Sequence, residues 1–332
     1  MSRDSSAKPA SKPLDLKRLR LKSRADRAHK VEIDALAATP GAGASFADWL
    51  GSLPQFLGAS ALRRIVEAVV AAHRAGRNVL FAFGGHVVKT GCSPLIVDLI
   101  DRGIITAVAT NGSGAIHDLE LAQTGATSED VAANIRSGEF GMVRETCDAM
   151  NRAALNGAAV IGLGRAIGEM LEAEHAPFRR FSILAAAARA GIPATVHVAL
   201  GTDTVHMHGD ADGAAIGAAT MHDFRMFCDV VGTLGADEAS GPAGPGGVFI
   251  NAGSAVIMPE VFLKAVSVAR NLGRDLDAMH TANFDMLTHY RPTQNVLQRP
   301  VQPGRGHSMV GQHEILLPLL RMAVIETLEK RP

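Results

Sequence analysis

The sequence predicts a doubly wound α/β fold with a mostly parallel sheet and helices on both faces. Two apolar runs, residues 79–83 and 104–109, are each followed at once by a glycine-rich polar turn, and a helical pattern at residues 94–100 separates them. Runs without alternation of apolar and polar residues are typical of strands buried on both sides, as in a parallel sheet covered by helices. Residues 78–120 are therefore predicted to form a strand–helix–strand unit.

The remaining elements follow from the same patterns. Apolar runs predict further strands at residues 195–200, 248–251 and 277–283, and a short strand near residues 307–310. Ser128 is predicted to cap a helix, because Glu129 and Asp130 would lie in its first turn. A loop is expected at residues 235–247, which are rich in Gly, Pro and Ala. Apolar spacing predicts helices at residues 46–53, 60–75, 139–156, 158–174, 178–190, 214–234, 259–272 and 314–329.

Composition and charge exclude several classes of protein. The 332-residue chain is 47% hydrophobic, which suits a globule with a sizeable core. Its 33 basic and 33 acidic side chains cancel, so no overall field attracts nucleic acid or an anionic membrane. No apolar run approaches the roughly 20 residues that span a bilayer. The cysteines are few, distant from one another and without metal-type spacing, which predicts reduced thiols and a cytoplasmic location.

The chain is expected to contain an arm and one large domain. Residues 1–40 are predicted to be a disordered or extended basic N-terminal arm, because residues 1–14 have almost nothing to bury and residues 17–30 are basic. Residues 41–332 are predicted to be a single domain with helical elaborations. Because the chain is neutral overall, an arm that packs on a neighbouring subunit is favoured over one that binds nucleic acid. A homo-oligomer, either a dimer or a tetramer, is expected.

Polar turns after the strands carry the predicted chemistry. Ligands of parallel sheets bind beyond the carboxyl ends of the strands, where a turn before a helix presents backbone N–H groups to an anion. The alternative is that glycine serves only tight chain reversal. Because several such turns are predicted at one sheet edge, a ligand site is favoured, with the candidate residues Gly84, Gly85, His86, Thr110, Asn111, Gly112, Ser113 and Gly114.

The segment from Gly162 to Gly168 superficially fits a dinucleotide-binding fingerprint. The strand that must precede it would be only residues 158–161, and no acidic residue follows at about 20 residues. These glycines are instead predicted to allow a helix to pack closely on its neighbours.

Histidines and aspartates supply candidate reactive groups. His206 and His208 are two residues apart, so in an extended segment both would point to one face. With Asp210 they have the composition of a divalent-metal site, whereas the favoured alternative is that they bind a substrate by hydrogen bonds. His117 is a candidate acid or base because the ordinary pKa of histidine is near neutrality. It precedes Asp118, a second titratable group predicted near a strand end.

The order of these segments resembles deoxyhypusine synthase over about residues 60–328. That family's Thr-Thr-Ala-Gly-Gly-Val-Glu-Glu-Asp-Leu segment is similar to residues 110–119, and its Thr-Asp pair to Thr202 and Asp203. Its Phe-Asp and Arg-Pro pairs resemble residues 284–285 and 291–292, and its closing helix resembles residues 315–320. The resemblance implies a fold that binds NAD at the glycine-rich turns, with Asp285 as a further contact.

Two departures from the family change the expected activity. The lysine that forms an imine in the family is absent, and residues 256–258 are Val, Ile and Met in its place. The paired acids of the family are Ile116 and His117 here, which removes charge that a polyamine substrate needs. The expected protein is an NAD-binding enzyme that does not make deoxyhypusine and acts on another small polar substrate, which His117, Asp118, Asp203, His206 and His208 would face. The alternatives are a metal-dependent hydrolase or lyase, and a non-catalytic nucleotide-binding subunit.

Overall fold

The computed structural model describes residues 12–157, 160–236 and 244–329. Its centre is a six-stranded sheet with the order β3-β2-β1-β4-β5-β6, in which every pairing is parallel. The predicted α/β class, with a parallel sheet covered by helices, is confirmed. The strands are β1 (Val79–Phe83), β2 (Ala107–Asn111), β3 (Ala194–His197), β4 (Val248–Ala252), β5 (His280–Asp285) and β6 (Gly306–Val310).

Helices cover both faces of the sheet. Side chains of β1 alternate between two apolar clusters: Phe81 and Phe83 pack on one face, and Leu80 and Ala82 on the other. A strand with both faces buried is apolar at every position, which explains the continuous run in the sequence. The helices are α1 (Phe46–Ser52), α2 (Leu57–Arg74), α3 (Gly85–Lys89), α4 (Ser93–Asp101), α5 (Gly112–Thr124), α6 (Val131–Asn134), α7 (Arg144–Gly157), α8 (Leu163–Ala173), α9 (Ile183–Ala190), α10 (Gly213–Gly232), α11 (Ile257–Asn271), α12 (Tyr290–Pro292) and α13 (His313–Glu329).

The strand order reverses between β1 and β4, which is where doubly wound sheets form a ligand crevice. The two chain segments leaving these strands are in close contact. The Gly84 N–H donates to the Ala252 carbonyl oxygen at 2.9 Å. A Cβ atom on Gly84 would lie 2.2 Å from the carbonyl oxygen of Gly253, so no larger residue fits there without moving the backbone.

Several predicted boundaries shift for identifiable reasons. The second apolar run begins before its strand, because the Ile104 and Ile105 N–H groups bond back to the Leu99 carbonyl at the end of α4. The fifth strand likewise begins at residue 280 and not at 277. Ser128 is not a helix cap: its backbone has a φ of 72°. The cap of α6 is Asp130, whose side chain accepts from the Ala133 N–H at 3.2 Å.

The glycines at residues 162–168 do serve close packing, as predicted. A Cβ atom on Gly164 would lie 2.4 Å from the Ala194 carbonyl oxygen of β3, and one on Gly168 would lie 2.4 Å from the Leu184 carbonyl oxygen of α9. Parts of other predictions, at residues 1–11, 158–159, 237–243 and 330–332, lie outside the described residues. Residues 12–34 are exposed, and no helix in the described ranges has the length and hydropathy to cross a bilayer.

A pair of stacked histidines joins the amino-terminal ends of β5 and β6. The rings of His280 and His307 are 5.6 Å apart, and the Arg305 guanidinium donates to His280 Nε2 at 2.9 Å. Because that nitrogen accepts, His280 Nδ1 carries the proton and donates to His307 Nε2 at 3.3 Å. Burial lowers the pKa of each ring to about 4, assisted by Arg305 at His280 and Arg64 at His307.

This pair is expected to make the fold sensitive to acid. In the unfolded chain histidine has a pKa of about 6.5, so between pH 6.5 and pH 4 the unfolded state binds more protons than the folded state. The free energy of unfolding therefore decreases as the pH is lowered through this range. Replacing both histidines by asparagine should reduce the loss of unfolding free energy between pH 7.5 and pH 5 by about 2 kcal/mol, chiefly through the buried His307, because solvent screens His280. Urea unfolding at the two pH values measures this difference, and equal losses in both proteins would contradict the prediction.

Candidate functional site

A cleft of about 510 Å³ opens at the carboxyl ends of β1, β2 and β3. Each strand is followed by a segment that contributes to its wall. Lys89 comes from α3, His117 and Glu120 come from α5, and residues 202–204 follow β3. The loop after α5, residues 126–129, closes one side, together with Phe140 and Val143. The sheet edge predicted to bind a ligand therefore carries a concave site.

His117 is tied to this loop by a chain of hydrogen bonds. Its Nδ1 atom lies 2.8 Å from Thr127 Oγ1, and the Thr127 hydroxyl donates to Glu120 Oε2 at 2.6 Å. The second oxygen of Glu120 accepts from the Thr146 hydroxyl at 3.0 Å. The neighbouring Ser128 has left-handed backbone geometry, a conformation that is often retained at functional sites.

Burial lowers the pKa of His117 below the ordinary value of histidine. The Glu120 carboxylate opposes this shift, whereas Lys89 and His86 add to it by charge repulsion. The ring is therefore neutral at pH 7, which is the state that a general base requires. The structure places the predicted acid–base candidate in the wall of the cleft.

Asp203 is also at the cleft, packed against the start of α5. A Cβ atom on Gly112 would lie 1.9 Å from Asp203 Oδ2, so a side chain there would displace the Asp203 carboxylate. Burial raises the pKa of Asp203, and the nearby His206 opposes the shift. His206 Nε2 lies 3.9 Å from Asp203 Oδ2, and its Nδ1 accepts from the Asp203 N–H at 3.3 Å.

The prediction that His206 and His208 point to one face is wrong. Thr204–Met207 forms a 3-10 helix, so the two side chains do not follow the alternation of a strand. His206 turns back to Asp203, whereas His208 Nε2 lies 3.8 Å from Asp148 on α7. Asp210, the third member of the alternative metal site, is exposed. In the part of the chain that the structure describes, no three His, Cys, Asp or Glu side chains are grouped to hold a metal ion.

Asp118 lies away from the cleft, contrary to the expectation that it faces a substrate. Its side chain is fully buried and accepts from Ser182 Oγ at 2.5 Å, Ile183 N at 2.8 Å and Leu184 N at 3.0 Å. These donors belong to the first turn of α9. Burial raises the pKa of Asp118 to about 6, against these hydrogen bonds. Since all three contacts are internal, the carboxylate is a helix cap.

Some of the predicted cofactor residues have internal roles. Thr110 is buried, and its hydroxyl donates to the Phe83 carbonyl oxygen at 2.7 Å, which ties β2 to β1. The Asn111 side chain caps α5 by accepting from the Gly114 N–H at 2.9 Å. Gly114 in turn leaves room for the Thr110 hydroxyl. Gly84, Gly85, Gly112 and Ser113 remain at the sheet edge: Ser113 lines the cleft, Gly85 and Gly112 lie against the cleft residues His117 and Asp203, and Gly84 lies against the Gly253 backbone.

Beyond β4, the same edge holds buried polar groups without partners. His313, at the start of α13, is 1% exposed, and neither ring nitrogen has a hydrogen-bond partner within residues 12–157, 160–236 and 244–329. The Asn251 Oδ1 atom of β4 is also buried and accepts no hydrogen bond from the part of the chain that the structure describes. Asp285, predicted as a cofactor contact, lies at the end of β5 with its Oδ1 atom 3.9 Å from His289 Nε2. Burial lowers the pKa of His313, and the Asp285 carboxylate opposes this shift. The His86 and His313 rings are 6.2 Å apart.

No family model and no curated protein matches this chain. Among solved structures, the ternary complex of AgrE with ornithine and NAD+ matches with a TM-score of 0.55 at 13% identity, over 81% of this chain and 33% of AgrE. A proposed deoxyhypusine synthase from Entamoeba histolytica matches with a TM-score of 0.51 at 11% identity, over 87% of this chain and 96% of that one. The fold is shared with both. This chain spans about a third of the length of AgrE.

The resemblance to deoxyhypusine synthase is therefore confirmed at the level of the fold. Residues 256–258, where the family's lysine is absent, lead into the first turn of α11. Lys264, the nearest lysine along the chain, lies further along that helix, more than half exposed, and pairs with Glu260. Its ammonium group therefore lies on the exposed face of α11.

Proposed function

We propose that the protein binds NAD or NADH along the carboxyl edge of its sheet and is an enzyme acting on a small polar molecule. The observation that carries this proposal is the close approach of the Gly84 and Gly253 backbones at the strand-order reversal, the position at which doubly wound sheets bind their ligands. Glycine at this position lets a pyrophosphate approach the backbone closely in doubly wound proteins. The AgrE structure, which has the same fold, contains NAD+.

The residues present fit such a cofactor. His313 offers two buried ring nitrogens, and Asn251 a buried amide oxygen, and none of these atoms has a hydrogen-bond partner among the described residues. Buried polar atoms are nearly always hydrogen-bonded, so this end of the edge suits a ligand with hydroxyl and amide groups. Asp285 supplies a carboxylate at a strand end, the type of group that accepts from ribose hydroxyls. When bound, the nicotinamide ring would supply hydride transfer.

Titration calorimetry and thermal unfolding with NAD and NADH test the cofactor. At 100 times its Kd, a ligand that binds only the folded state stabilises it by about 2.7 kcal/mol. The variant His313→Leu is expected to lose about tenfold in affinity, the value of one hydrogen bond to a ligand. Its stability without ligand should be unchanged or higher, because the substitution removes buried polar atoms that have no partner.

These two results separate a ligand contact from a structural residue. If His313→Leu unfolds more easily and binds NAD as tightly as the wild type, His313 belongs to the core and not to the cofactor site. Absence of both heat and thermal stabilisation at millimolar NAD and NADH would refute the proposed cofactor itself.

A further inference from the structure

The hydrogen-bond chain at His117 has only one assignment of donors and acceptors. A carboxylate only accepts, so the Thr127 hydroxyl gives its single proton to Glu120. His117 Nδ1 contacts the same hydroxyl oxygen and must therefore be the donor. The neutral ring carries its proton on Nδ1, which leaves a lone pair on Nε2.

The Nε2 atom is available to a ligand. No residue in the described ranges forms a hydrogen bond with it, and the His117 side chain is 17% exposed in the wall of the cleft. Gly85 makes room for the ring, since a Cβ atom there would lie 2.8 Å from His117 Cδ2. Thr127 thus fixes the ring through Nδ1, and Nε2 has no hydrogen-bond partner among the described residues.

The positive charge of Lys89 favours an anionic ligand in this cleft. Lys89 lines the same cleft and forms no ion pair with any described residue, so its ammonium group is open to an anion. Lys89 and His86 both act on His117 as like charges. Glu120 acts on the ring as an opposite charge, so the anionic group of a ligand belongs at Lys89: a neutral hydroxyl can donate to Nε2 while a carboxylate of the same ligand pairs with Lys89.

We propose that His117 is the proton acceptor of this cleft and that the cleft takes a small hydroxycarboxylate, with its carboxylate at Lys89 and its hydroxyl at Nε2. In the transfer, the O–H bond breaks, its electron pair stays on oxygen, and an N–H bond forms at Nε2. The imidazolium produced is stabilised by Glu120 through Thr127, as a carboxylate stabilises a catalytic histidine elsewhere. Glu120 and Thr127 are positioning residues. The proposal rests on the proposed function for a substrate in this cleft, but not on a bound dinucleotide.

The tautomer is tested by NMR of the full-length protein labelled with 15N at histidine. His117 is expected to show a protonated Nδ1 above pH 7 and a pKa below 6.5. Thr127→Val should move the proton toward Nε2, and Thr127→Ser, which keeps the hydroxyl, should restore the wild-type spectrum. Thr124→Val is the matched control, because the Thr124 hydroxyl bonds the backbone oxygens of Glu120 and Ala126 and is not part of the hydrogen-bond chain at His117. A wild-type ring protonated at Nε2, or no change in Thr127→Val, overturns the assignment.

The ligand class is tested by titrating glycolate and acetate while following the His117 resonances, without NAD. Glycolate should bind about fivefold more tightly than acetate, which lacks the hydroxyl. Lys89→Gln should weaken glycolate by about fivefold, and Lys264→Gln, at an exposed pair outside the cleft, should not. Equal binding of the two acids, or binding indifferent to Lys89→Gln, refutes the hydroxycarboxylate. Since no dinucleotide is present, either failure is distinct from a failure of NAD binding.

Discussion

Replacing Asp118 with alanine is expected to destabilise the protein by about 3 to 5 kcal/mol, because three buried donors lose their acceptor at about 1 to 3 kcal/mol each. The three donors are the Ser182 hydroxyl and the N–H groups of Ile183 and Leu184. They lie at the start of α9, whose first residues are fully buried. Water cannot replace the carboxylate without opening the contact between α5 and α9. Urea unfolding monitored by circular dichroism measures the loss.

Two further variants make this prediction specific. Asp118→Asn keeps the shape and one accepting oxygen, so its cost should be smaller, about 1 to 3 kcal/mol. Glu169→Ala removes an acid from an exposed i,i+4 pair with Arg165 and should cost about 0.5 kcal/mol or less. If Asp118→Ala keeps wild-type stability and loses only substrate binding, the residue is a ligand contact and the helix-cap assignment is wrong.

The strands of this fold were predictable because both faces of the sheet are covered. Burial on both sides makes β1 apolar at every position, and that pattern is visible without any knowledge of its partners. The start of β2 was not predictable from the same signal. Ile104 and Ile105 are buried beneath the end of α4, and apolar spacing cannot separate a buried turn from a buried strand.

The sequence could place a site residue only where its location follows from the predicted end of a strand. The polar turn after β2 predicted that His117 would lie near the sheet edge. The contacts of His206 and His208 depend on backbone geometry after β3, where Asp203 and His206 close a 3-10 turn that no side-chain period reveals. His313 gave no signal, because the absence of partners around a buried ring is a property of tertiary packing.

Gly84→Ala is expected to destabilise the protein by about 3 kcal/mol, because the added methyl group overpacks a contact between two backbones. The obstructing atom is the carbonyl oxygen of Gly253, which no change of rotamer can move aside. Relief requires the ends of β1 and β4 to separate, which would strain the Gly84 N–H bond to Ala252. Thermal and urea unfolding of the variant measure the cost.

Gly217→Ala is the matched control for that substitution. Gly217 lies inside α10, where an added Cβ atom meets no heavy atom within 4 Å. The same chemical change should therefore stabilise the protein by about 0.5 to 1 kcal/mol, since alanine is the better helix former. If the protein binds NAD as proposed, the affinity, measured at a temperature where both variants are folded, should weaken in Gly84→Ala and stay unchanged in Gly217→Ala. Wild-type stability of Gly84→Ala would contradict the predicted overpacking, because it would mean that the ends of β1 and β4 separate at little cost in free energy.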